Sequence, residues 1–364
     1  MDIDLAPKSL ECLLPSPLIQ QTTFWGRVKA SLGWQPRAYD LVAATERGDV
    51  LVTVRSLGEA ASLAYVPYGP EYTPEEDDRG AFLEELSERL RPKLPEDCLF
   101  IRWDLPWESP YANESDRYDE AGVWSGRPDP RFRELRMNFG TLRHAIRKAG
   151  SDILPPDTMI VDLGGSDADL LGRMRPKTRY NIGLAQRRGV AVRGGDAADM
   201  PIWERLYAET ARRNGIRPHG VEHFAALLSS VSEEDDTSVR LLIAEDREGE
   251  SLAALFLAIS GGRATYLYGA SSSFRRELMA PYALQWAAMR AAREAGCRSY
   301  DLFGCAPGPE REHPLYGLYR FKVGFGGASL HRQGCWDYPF DPEGYGIFRA
   351  SEAVETGFHG GSDL

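Results

Sequence analysis

The sequence predicts an α/β fold made of two tandem domains, and three observations support this. The chain has 364 residues, 43% hydrophobic and 27% charged, which is typical of a globular protein long enough for two domains. The same order of strand and helix patterns occurs once in each half. A Pro155-Pro156 break separates the two copies and predicts a domain boundary there.

The first copy begins with three β-rich runs in which apolar residues recur. Its predicted elements are strands at 38–46, 50–58 and 61–69, a helix at 80–90 and a strand at 98–104. Arg47-Gly48-Asp49 predicts the turn between the first two strands. The segment 133–150 is helix-like and ends this half.

The second copy repeats that order after two predicted helices, at about 166–188 and 200–214. Its elements are strands at 238–246, 251–260 and 264–270, a helix at 287–296 and a strand at 298–304. Residues 230–237 predict an acidic surface loop, and the tail from residue 351 is expected to be loose. Each half thus predicts a three-stranded meander, a crossover helix and a parallel strand, an order that resembles the acetyltransferase-like (GNAT) fold.

We expect the first GNAT-like domain at 1–153, completed by 328–364, and the second at 154–327, each with a mixed sheet and flanking helices.

Composition excludes several classes of protein. The five cysteines are odd in number and form no CxxC pair, which argues against a disulfide framework, and no ligand spacing predicts a metal. The net charge of −11 argues against a general nucleic-acid coat protein but permits a local basic groove. The start of the chain lacks a signal-peptide pattern, and no apolar run of about 20 residues occurs. We therefore expect a cytoplasmic protein.

The segment 173–193 is rich in basic residues and contains no acidic residue. It includes Arg175, Lys177, Arg179, Arg187 and Arg188. Such a stripe favours contact with the phosphates of tRNA or of a nucleotide-linked precursor. The alternative is a solvated helix face that pairs with acidic neighbours. The basic stretch 131–148 would extend the same surface.

Neither copy has the Gly-rich turn that holds the pyrophosphate of coenzyme A on backbone N–H groups. The first copy carries four acidic residues at 75–78, and the second has no glycine between Gly269 and Gly296. An acyltransferase with this sequence would therefore take its acyl group from another donor.

Five runs carry a resemblance over nearly the whole chain. They are QTTFWGRVKASLGW (21–34), FIRWDLPW (100–107), MRPKTRYNIGLAQRRGVAVR (174–193), SYDLFG (299–304) and HPLYGLYRFKVGFGG (313–327). In this order they resemble the Fem family, whose members use aminoacyl-tRNA to add amino acids to the stem peptide of peptidoglycan precursors. The family fold is two GNAT-like domains.

The resemblance implies aminoacyl-tRNA as co-substrate and no cofactor. It implies UDP-MurNAc-pentapeptide or lipid II as acceptor, and it leaves these two forms, the amino acid and the number added open. It further implies peripheral contact with the inner membrane face. No stable protein partner is evident from the sequence.

Lys322 is the predicted centre of the reaction. It follows aromatic Tyr319 and Phe321 and precedes a Gly-rich stretch. A partly desolvated ammonium stabilises the oxyanion of aminoacyl transfer, and the resemblance gives Lys322 this role, with Phe321 beside the site. The alternative is an edge-strand lysine with a solvated head.

Asp104 and Lys29 are the predicted acceptor-side residues. A carboxylate at the end of a buried strand needs a partner or a task, and Asp104 would accept a proton from the attacking amine. The alternatives are a strand-end cap or a partner of Arg102. The resemblance puts Lys29 on the acceptor phosphates, whereas without it Lys29 would be surface charge.

Tyr68, Tyr266 and Tyr268 match family positions near the acceptor, where rings and hydroxyls suit sugars and peptides; the alternative is half-buried strand alternation. The loop 213–224 departs from the family pattern, with His219 and His223 where relatives carry arginine and tyrosine. Phosphate binding would then rest on Arg213 or Arg217, or become pH-sensitive through histidine.

Three alternatives to the cell-wall function stay open. They are tRNA-dependent transfer to a natural-product or peptide amine, a non-catalytic precursor-binding protein, and a coenzyme A-dependent acetyltransferase. The histidine departure keeps the first open, and the last is disfavoured by the missing backbone cradle.

Overall fold

A computed structural model of the chain describes residues 3–120, 122–232 and 235–354. The strands are β1 (Ile3–Lys8), β2 (Gln35–Ala43), β3 (Glu46–Ser56), β4 (Ser62–Val66), β5 (Cys98–Glu108), β6 (Arg147–Lys148), β7 (Asp157–Asp162), β8 (Ala191–Gly195), β9 (Ser238–Glu245), β10 (Ser251–Ser260), β11 (Arg263–Ser271), β12 (Ser299–Asp301) and β13 (Ala328–Pro339). The helices are α1 (Thr23–Ser31), α2 (Arg79–Leu90), α3 (Pro130–Met137), α4 (Asp167–Arg173), α5 (Pro176–Arg187), α6 (Met200–Asn214), α7 (Val221–Ser229), α8 (Ala280–Glu294), α9 (Tyr316–Lys322) and α10 (Pro342–Val354).

The chain divides into two compact units. Unit 1 comprises 1–14, 20–156 and 331–364, and unit 2 comprises 15–19 and 157–330. In the described ranges, no helix combines the length and the apolar character needed to cross a bilayer.

Unit 1 is built on a mixed sheet in the order β1-β2-β3-β4-β5-β13. Strands β1 to β4 are antiparallel neighbours, β5 runs parallel to β4 after the crossover helix α2, and β13 is antiparallel to β5. Helix α2 buries Phe82, Leu83 and Leu86 against the sheet, as expected for a helix with an apolar stripe.

Unit 2 repeats this plan in the order β8-β9-β10-β11-β12-β7. Strands β8 to β11 are antiparallel, β12 is parallel to β11 after the crossover helix α8, and β7 is antiparallel to β12. Every residue of β10 is buried, which matches its unbroken apolar sequence. The predicted meander, crossover helix and parallel strand are therefore confirmed in both halves.

The predicted turn at Arg47-Gly48-Asp49 is wrong. The chain reverses at Ala44-Thr45, because Ala43 pairs with Glu46 and Gly48 pairs with Leu41 inside the ladder. Ala44 takes the left-handed conformation, with a φ of 53°. Asp49 lies within β3, and its carboxylate accepts from Lys8 at 2.8 Å. Lys8 belongs to β1, a strand that the prediction missed.

The helix predicted at 133–150 is also wrong in its second half. Helix α3 ends at Met137, and Gly140 and His144 then take left-handed conformations before β6 begins. The helix expected at 166–188 is two helices, because Pro176 starts α5 and the preceding residue is held extended. Helix α8 begins before the predicted 287, and α10 extends order to residue 354. The rest of the predicted loose tail, and Glu233-Glu234 of the acidic loop, lie outside the described residues.

Candidate functional site

Lys322 lies buried at the end of α9 in unit 2, only 4% exposed, so the edge-strand interpretation is wrong. Its Nζ donates to the main-chain carbonyls of Phe303 at 3.2 Å and Gly304 at 2.5 Å. Burial lowers the pKa of Lys322 to about 8, a shift that Cys305 and Asp301 oppose only in part. Among the residues that the structure describes, no carboxylate forms an ion pair with this ammonium. At neutral pH it is therefore a largely charged donor with one N–H left for a ligand.

The loop after β12 builds the carbonyl pair that holds Lys322. Phe303 has a φ of 59°, a left-handed conformation that is unfavourable for a bulky residue and costs about 1–3 kcal/mol. Asp301 fixes this turn, because its Oδ1 accepts from the Phe303 N–H at 2.7 Å and from the Thr158 hydroxyl. These two carbonyls were not among the predicted site groups, and their only signal in the sequence was the SYDLFG run (299–304).

One aromatic ring faces this ammonium in unit 2, and three further rings, which include the neighbouring Phe321, pack against one another. Nζ of Lys322 lies 5.3 Å from the centroid of the Tyr266 ring. Burial raises the pKa of Tyr266 to about 12, so its hydroxyl is neutral and can donate. Phe321 packs edge-on against Tyr282 and Phe325, each ring at 5.1 Å. Phe321 therefore packs in a group of rings with Tyr282 and Phe325, and its predicted place at the catalytic site stays a prediction.

The predicted basic stripe is exposed on and around α5. Its members are Arg175, Lys177, Arg179, Arg187 and Arg188. None of the five forms an ion pair with a carboxylate of the described ranges. Arg179 donates to main-chain carbonyls at the end of α4, and Arg188 donates to the carbonyl of Glu277 at 2.6 Å.

Arg193 behaves differently from the stripe. It forms ion pairs with Asp199 at 2.8 Å and Glu245 at 2.9 Å. The interpretation as a face neutralised by acidic neighbours therefore applies to Arg193 and not to the five predicted tRNA contacts.

Much of the charge of the stretch 131–148 is used within unit 1, and its predicted continuity with the stripe stays a prediction. Arg136 pairs with Glu76 and Glu114, and Arg133 donates to the carbonyl of Gln333. Lys148 is buried and pairs with Asp152 at 2.7 Å.

The two predicted histidines come together in unit 2. The rings of His219 and His223 stack at 4.5 Å, and Nε2 of His223 lies 2.9 Å from the Tyr268 hydroxyl. Burial, followed by the neighbouring Tyr207, raises the pKa of Tyr268. These side chains thus form one cluster of imidazole and aromatic rings, in which the His223 ring and the Tyr268 hydroxyl bond each other.

The two predicted arginines of this loop differ. Arg213 donates to the carbonyl of Ser271 at 2.8 Å and to the hydroxyls of Ser271 and Ser273, so it holds the end of β11. Arg217 is exposed and has no side-chain partner among the described residues. Of the two, Arg217 is the one whose guanidinium is available to a phosphate.

Asp104 is fully buried in β5 of unit 1, with neither predicted alternative fulfilled. The strand continues to Glu108, so Asp104 is not a strand-end cap. Arg102 instead forms buried bonds to Asp337 at 2.7 and 2.8 Å and to Glu352 at 2.6 Å.

Only one of the two carboxylate oxygens of Asp104 is hydrogen-bonded to the described residues. Oδ2 accepts from the Tyr65 hydroxyl at 3.0 Å and from the Leu154 N–H at 2.9 Å, whereas Oδ1 makes no hydrogen bond to the described residues. Burial and then the charge of Asp152 raise the pKa of Asp104 to about 7. A carboxyl group that titrates near neutrality can take up a proton during a reaction.

Lys29 of unit 1 is not a surface charge, which corrects that alternative. It is 8% exposed, and its Nζ lies 4.4 Å from the Trp34 ring and 5.9 Å from the Trp25 ring. Burial, followed by the like charge of Arg55, lowers the pKa of Lys29 to about 8. The two indole rings attract this ammonium by cation–π interaction, and its predicted contact with the acceptor phosphates stays a prediction.

Tyr68 of unit 1 has its hydroxyl committed to the protein. The side chain is 1% exposed and donates to the carbonyl of Pro155 at 2.6 Å. Its predicted contact with the acceptor stays a prediction.

Nowhere in the described ranges do three or more His, Cys, Asp or Glu side chains form a group that could hold a metal ion.

Comparison with known proteins gives a family match over most of the chain. The FemAB family matches residues 16–239 and 229–352. Lipid II:glycine glycyltransferase of Staphylococcus epidermidis is 22% identical over 265 residues, which cover 57% of this chain and 63% of that protein. The Staphylococcus aureus protein of the same name is 23% identical over 249 residues, with coverages of 51% and 59%. The chain thus matches about three fifths of the length of these curated relatives.

Two solved structures share the fold. The crystal structure of FemX matches with a TM-score of 0.71 and 19% identity, covering 93% of this chain and 96% of that one. A tandem GNAT protein from the clavulanic acid biosynthesis pathway matches with a TM-score of 0.50 and 12% identity, covering 93% and 98%. The predicted GNAT-like fold is therefore confirmed.

Proposed function

We propose that this chain, which belongs to the FemAB family, transfers an amino acid from aminoacyl-tRNA to an amine of a peptidoglycan precursor stem peptide. The observation that carries the proposal is the buried Lys322 ammonium, which is held by two carbonyls and has no carboxylate partner among the described residues. A buried charge without a counter-ion is costly, and an anion that forms during a reaction would compensate it.

The chemistry of the proposed reaction suits this ammonium. The acceptor amine attacks the ester carbonyl of the aminoacyl-tRNA, so that a C–N bond forms and the carbonyl oxygen becomes an oxyanion. Lys322 donates its remaining N–H to that oxyanion. The C–O ester bond then breaks, the ribose oxygen leaves with a proton, and the amine has lost one.

We assign the tRNA donor to the exposed stripe on α5. Five basic side chains without carboxylate partners among the described residues suit a phosphate backbone, which is bound mainly through charge. A tRNA donor would be met in the cytoplasm, and the ester is already activated, so the proposed reaction uses no cofactor.

We propose lipid II as the acceptor, because the staphylococcal relatives are named lipid II:glycine glycyltransferases. Lys29 would bind its diphosphate, and the neutral-range pKa of Asp104 supports a role in taking up the amine proton. The mass that the acceptor gains in the transfer experiment would identify the transferred amino acid.

A second candidate is tRNA-dependent transfer to an amine outside the cell wall. It is kept open by His219 and His223, the residues at which this sequence departs from the pattern that the family resemblance implies.

The test is to incubate the protein with charged tRNA pools and either lipid II or UDP-MurNAc-pentapeptide, then to weigh the product. A gain of one aminoacyl residue that disappears after RNase treatment would support the proposal. No gain with either acceptor would reject the cell-wall function in favour of the second candidate. Turnover retained by Lys322→Met would reject the assigned role of that residue, and binding without turnover by the unaltered protein would indicate a precursor-binding protein.

A further inference from the structure

Large exposed apolar side chains are concentrated in one short segment of unit 1. Phe132 is 67% exposed, Leu135 74%, Phe139 68% and Leu142 91%. Phe132 and Leu135 are three residues apart on α3 and so share one face of that helix, and Phe139 follows in the turn after it. Such a concentration on a protein surface usually marks an interaction site.

Buried hydrogen bonds hold the second half of this segment in place. The buried carboxylate of Glu84 accepts from the N–H of Leu142 at 2.7 Å and of Arg143 at 2.9 Å. The side chain of Asn138 bonds both the N–H of Ile146 at 3.1 Å and its carbonyl at 2.8 Å. The backbone is therefore anchored while the side chain of Leu142 is exposed to solvent. A polar residue would be expected at such a position in a loop that contacts only water.

Part of the basic charge of this segment is compensated, because Arg136 pairs with Glu76 and Glu114 and Lys148 pairs with Asp152. The only acidic residue between 131 and 148 is Glu134, whose carboxylate accepts from the N–H of Lys148. Arg131 and Arg147 are exposed and have no carboxylate partner among the described residues, while Arg143 pairs with Glu88 at 3.0 Å. In a chain of net charge −11, the exposed guanidinium groups of Arg131 and Arg147, which no carboxylate of the described residues compensates, are complementary to an anionic surface.

We propose that this basic apolar face docks on an anionic phospholipid bilayer. We define the face by Phe132, Leu135, Phe139 and Leu142 together with Arg131 and Arg147. Its phenyl and isobutyl groups would enter the boundary between headgroups and acyl chains, and its guanidinium groups would bond lipid phosphates. Leucine offers no ring for base stacking, so single-stranded RNA is a poorer occupant.

Docking itself stands on this geometry, whereas its use for a lipid-linked acceptor rests on the proposed function. Bilayer contact at this face would hold the enzyme where lipid II resides and raise the local concentration of the acceptor.

The test is co-sedimentation with vesicles of phosphatidylcholine, alone or mixed with phosphatidylglycerol. The unaltered protein should bind the anionic vesicles, and Phe139→Ser/Leu142→Ser should lower the partition coefficient at least about tenfold. Arg131→Gln/Arg147→Gln should lower it about fivefold per arginine at low salt, since each charge near an anionic surface contributes about 1 kcal/mol. The matched control is Leu14→Ser/Ile347→Ser, whose side chains are 54% and 69% exposed at other places of unit 1 and should leave binding unchanged.

Several outcomes would overturn the proposal. They are vesicle binding unaffected by Phe139→Ser/Leu142→Ser, an equal loss in the control, or a change in dimerisation or tRNA binding as the sole effect of the double variant. Thermal melting should show that both double variants are folded, because the replaced side chains are exposed.

Aminoacyl transfer separates this proposal from the proposed function. With water-soluble UDP-MurNAc-pentapeptide the double variant and the unaltered protein should react equally, and with lipid II in vesicles the variant should be slower. If neither protein transfers an amino acid to any acceptor, the proposed function fails while the vesicle result still decides on docking.

Discussion

Replacing Lys322 by methionine removes the ammonium while keeping an unbranched side chain of similar length. The lowering of the Lys322 pKa from 10.5 to about 8 means that the folded protein bears about 3 kcal/mol for keeping this group charged. The substitution removes that penalty but leaves the carbonyls of Phe303 and Gly304 without their donor, at about 1–3 kcal/mol each. The free energy of unfolding should therefore change by between a gain of about 1 and a loss of about 3 kcal/mol.

Activity should respond far more than stability. Losing one preorganised oxyanion donor typically lowers kcat about 10²–10³-fold, and we expect a loss of this size in aminoacyl transfer. The ratio of the transfer rate of the unaltered protein to that of Lys322→Met should shrink above a pH of about 8, because the Lys322 ammonium of the unaltered protein loses its proton there.

The pH dependence of stability gives an independent signature. Because the folded pKa lies below the unfolded value of 10.5, the unfolded chain binds more protons between pH 8 and 10.5. The unaltered protein should thus gain up to about 3 kcal/mol relative to Lys322→Met as the pH rises through this range. Lys29, which titrates in the same range, cancels in this comparison.

Urea unfolding and the mass-based transfer assay, both followed against pH, measure these quantities. Lys93→Met is the matched control, since Lys93 is half-exposed and should change neither. A variant that keeps more than about a tenth of the rate would refute the oxyanion role. A stability difference that does not depend on pH would refute the buried charge.

Three further predictions concern other charges. Asp104→Asn should become more stable relative to the unaltered protein as the pH rises from about 4 to 7, because the raised pKa makes the folded Asp104 carboxyl hold its proton to a higher pH than the unfolded one. The rate of transfer should fall by at most about a hundredfold, and a difference in melting temperature between the two proteins that is the same at pH 5 and pH 8 would contradict the raised pKa. Arg102→Met should cost about 3–5 kcal/mol in urea unfolding, because it leaves two paired carboxylates without their buried cation; a loss below about 1 kcal/mol would contradict the buried pair. Lys177→Gln should lower the salt dependence of tRNA affinity by about one phosphate contact, whereas Arg193→Gln, whose charge is neutralised by two carboxylates, should not; equal effects of the two would remove the assigned stripe.

The fold was predictable where the signal is local. The apolar periodicity of residues 80–90 and the unbroken apolar run of 251–260 correspond to α2 and β10. The turn at Ala44-Thr45 was not predictable from turn-forming residues, since register in β2 and β3 is decided by which side chains the sheet buries. Strand β1 escaped prediction because it is a short edge strand with few buried residues.

The sequence named candidate site residues but not their surroundings. Lys322, Asp104 and Lys29 were named with the help of the family resemblance, and their roles stay predictions. The carbonyls that hold Lys322 belong to the main chain of Phe303 and Gly304, so no residue type in the sequence indicates them. The contact of Lys29 with Trp25 and Trp34 depends on the turn that follows α1.

The sequence by itself determined the repeated domain plan, the family and the absence of acidic residues from the stripe, because periodicity, motif order and composition are properties of neighbouring residues. Only the tertiary structure decided which charges are compensated. Arg102 and Arg193 found carboxylates, whereas Lys322 and Lys29 were buried with aromatic rings and carbonyls. The reason is physical: desolvation and pairing depend on atoms brought together from distant parts of the chain, and these decide whether a lysine is a solvated surface group or a buried charge without an ion pair.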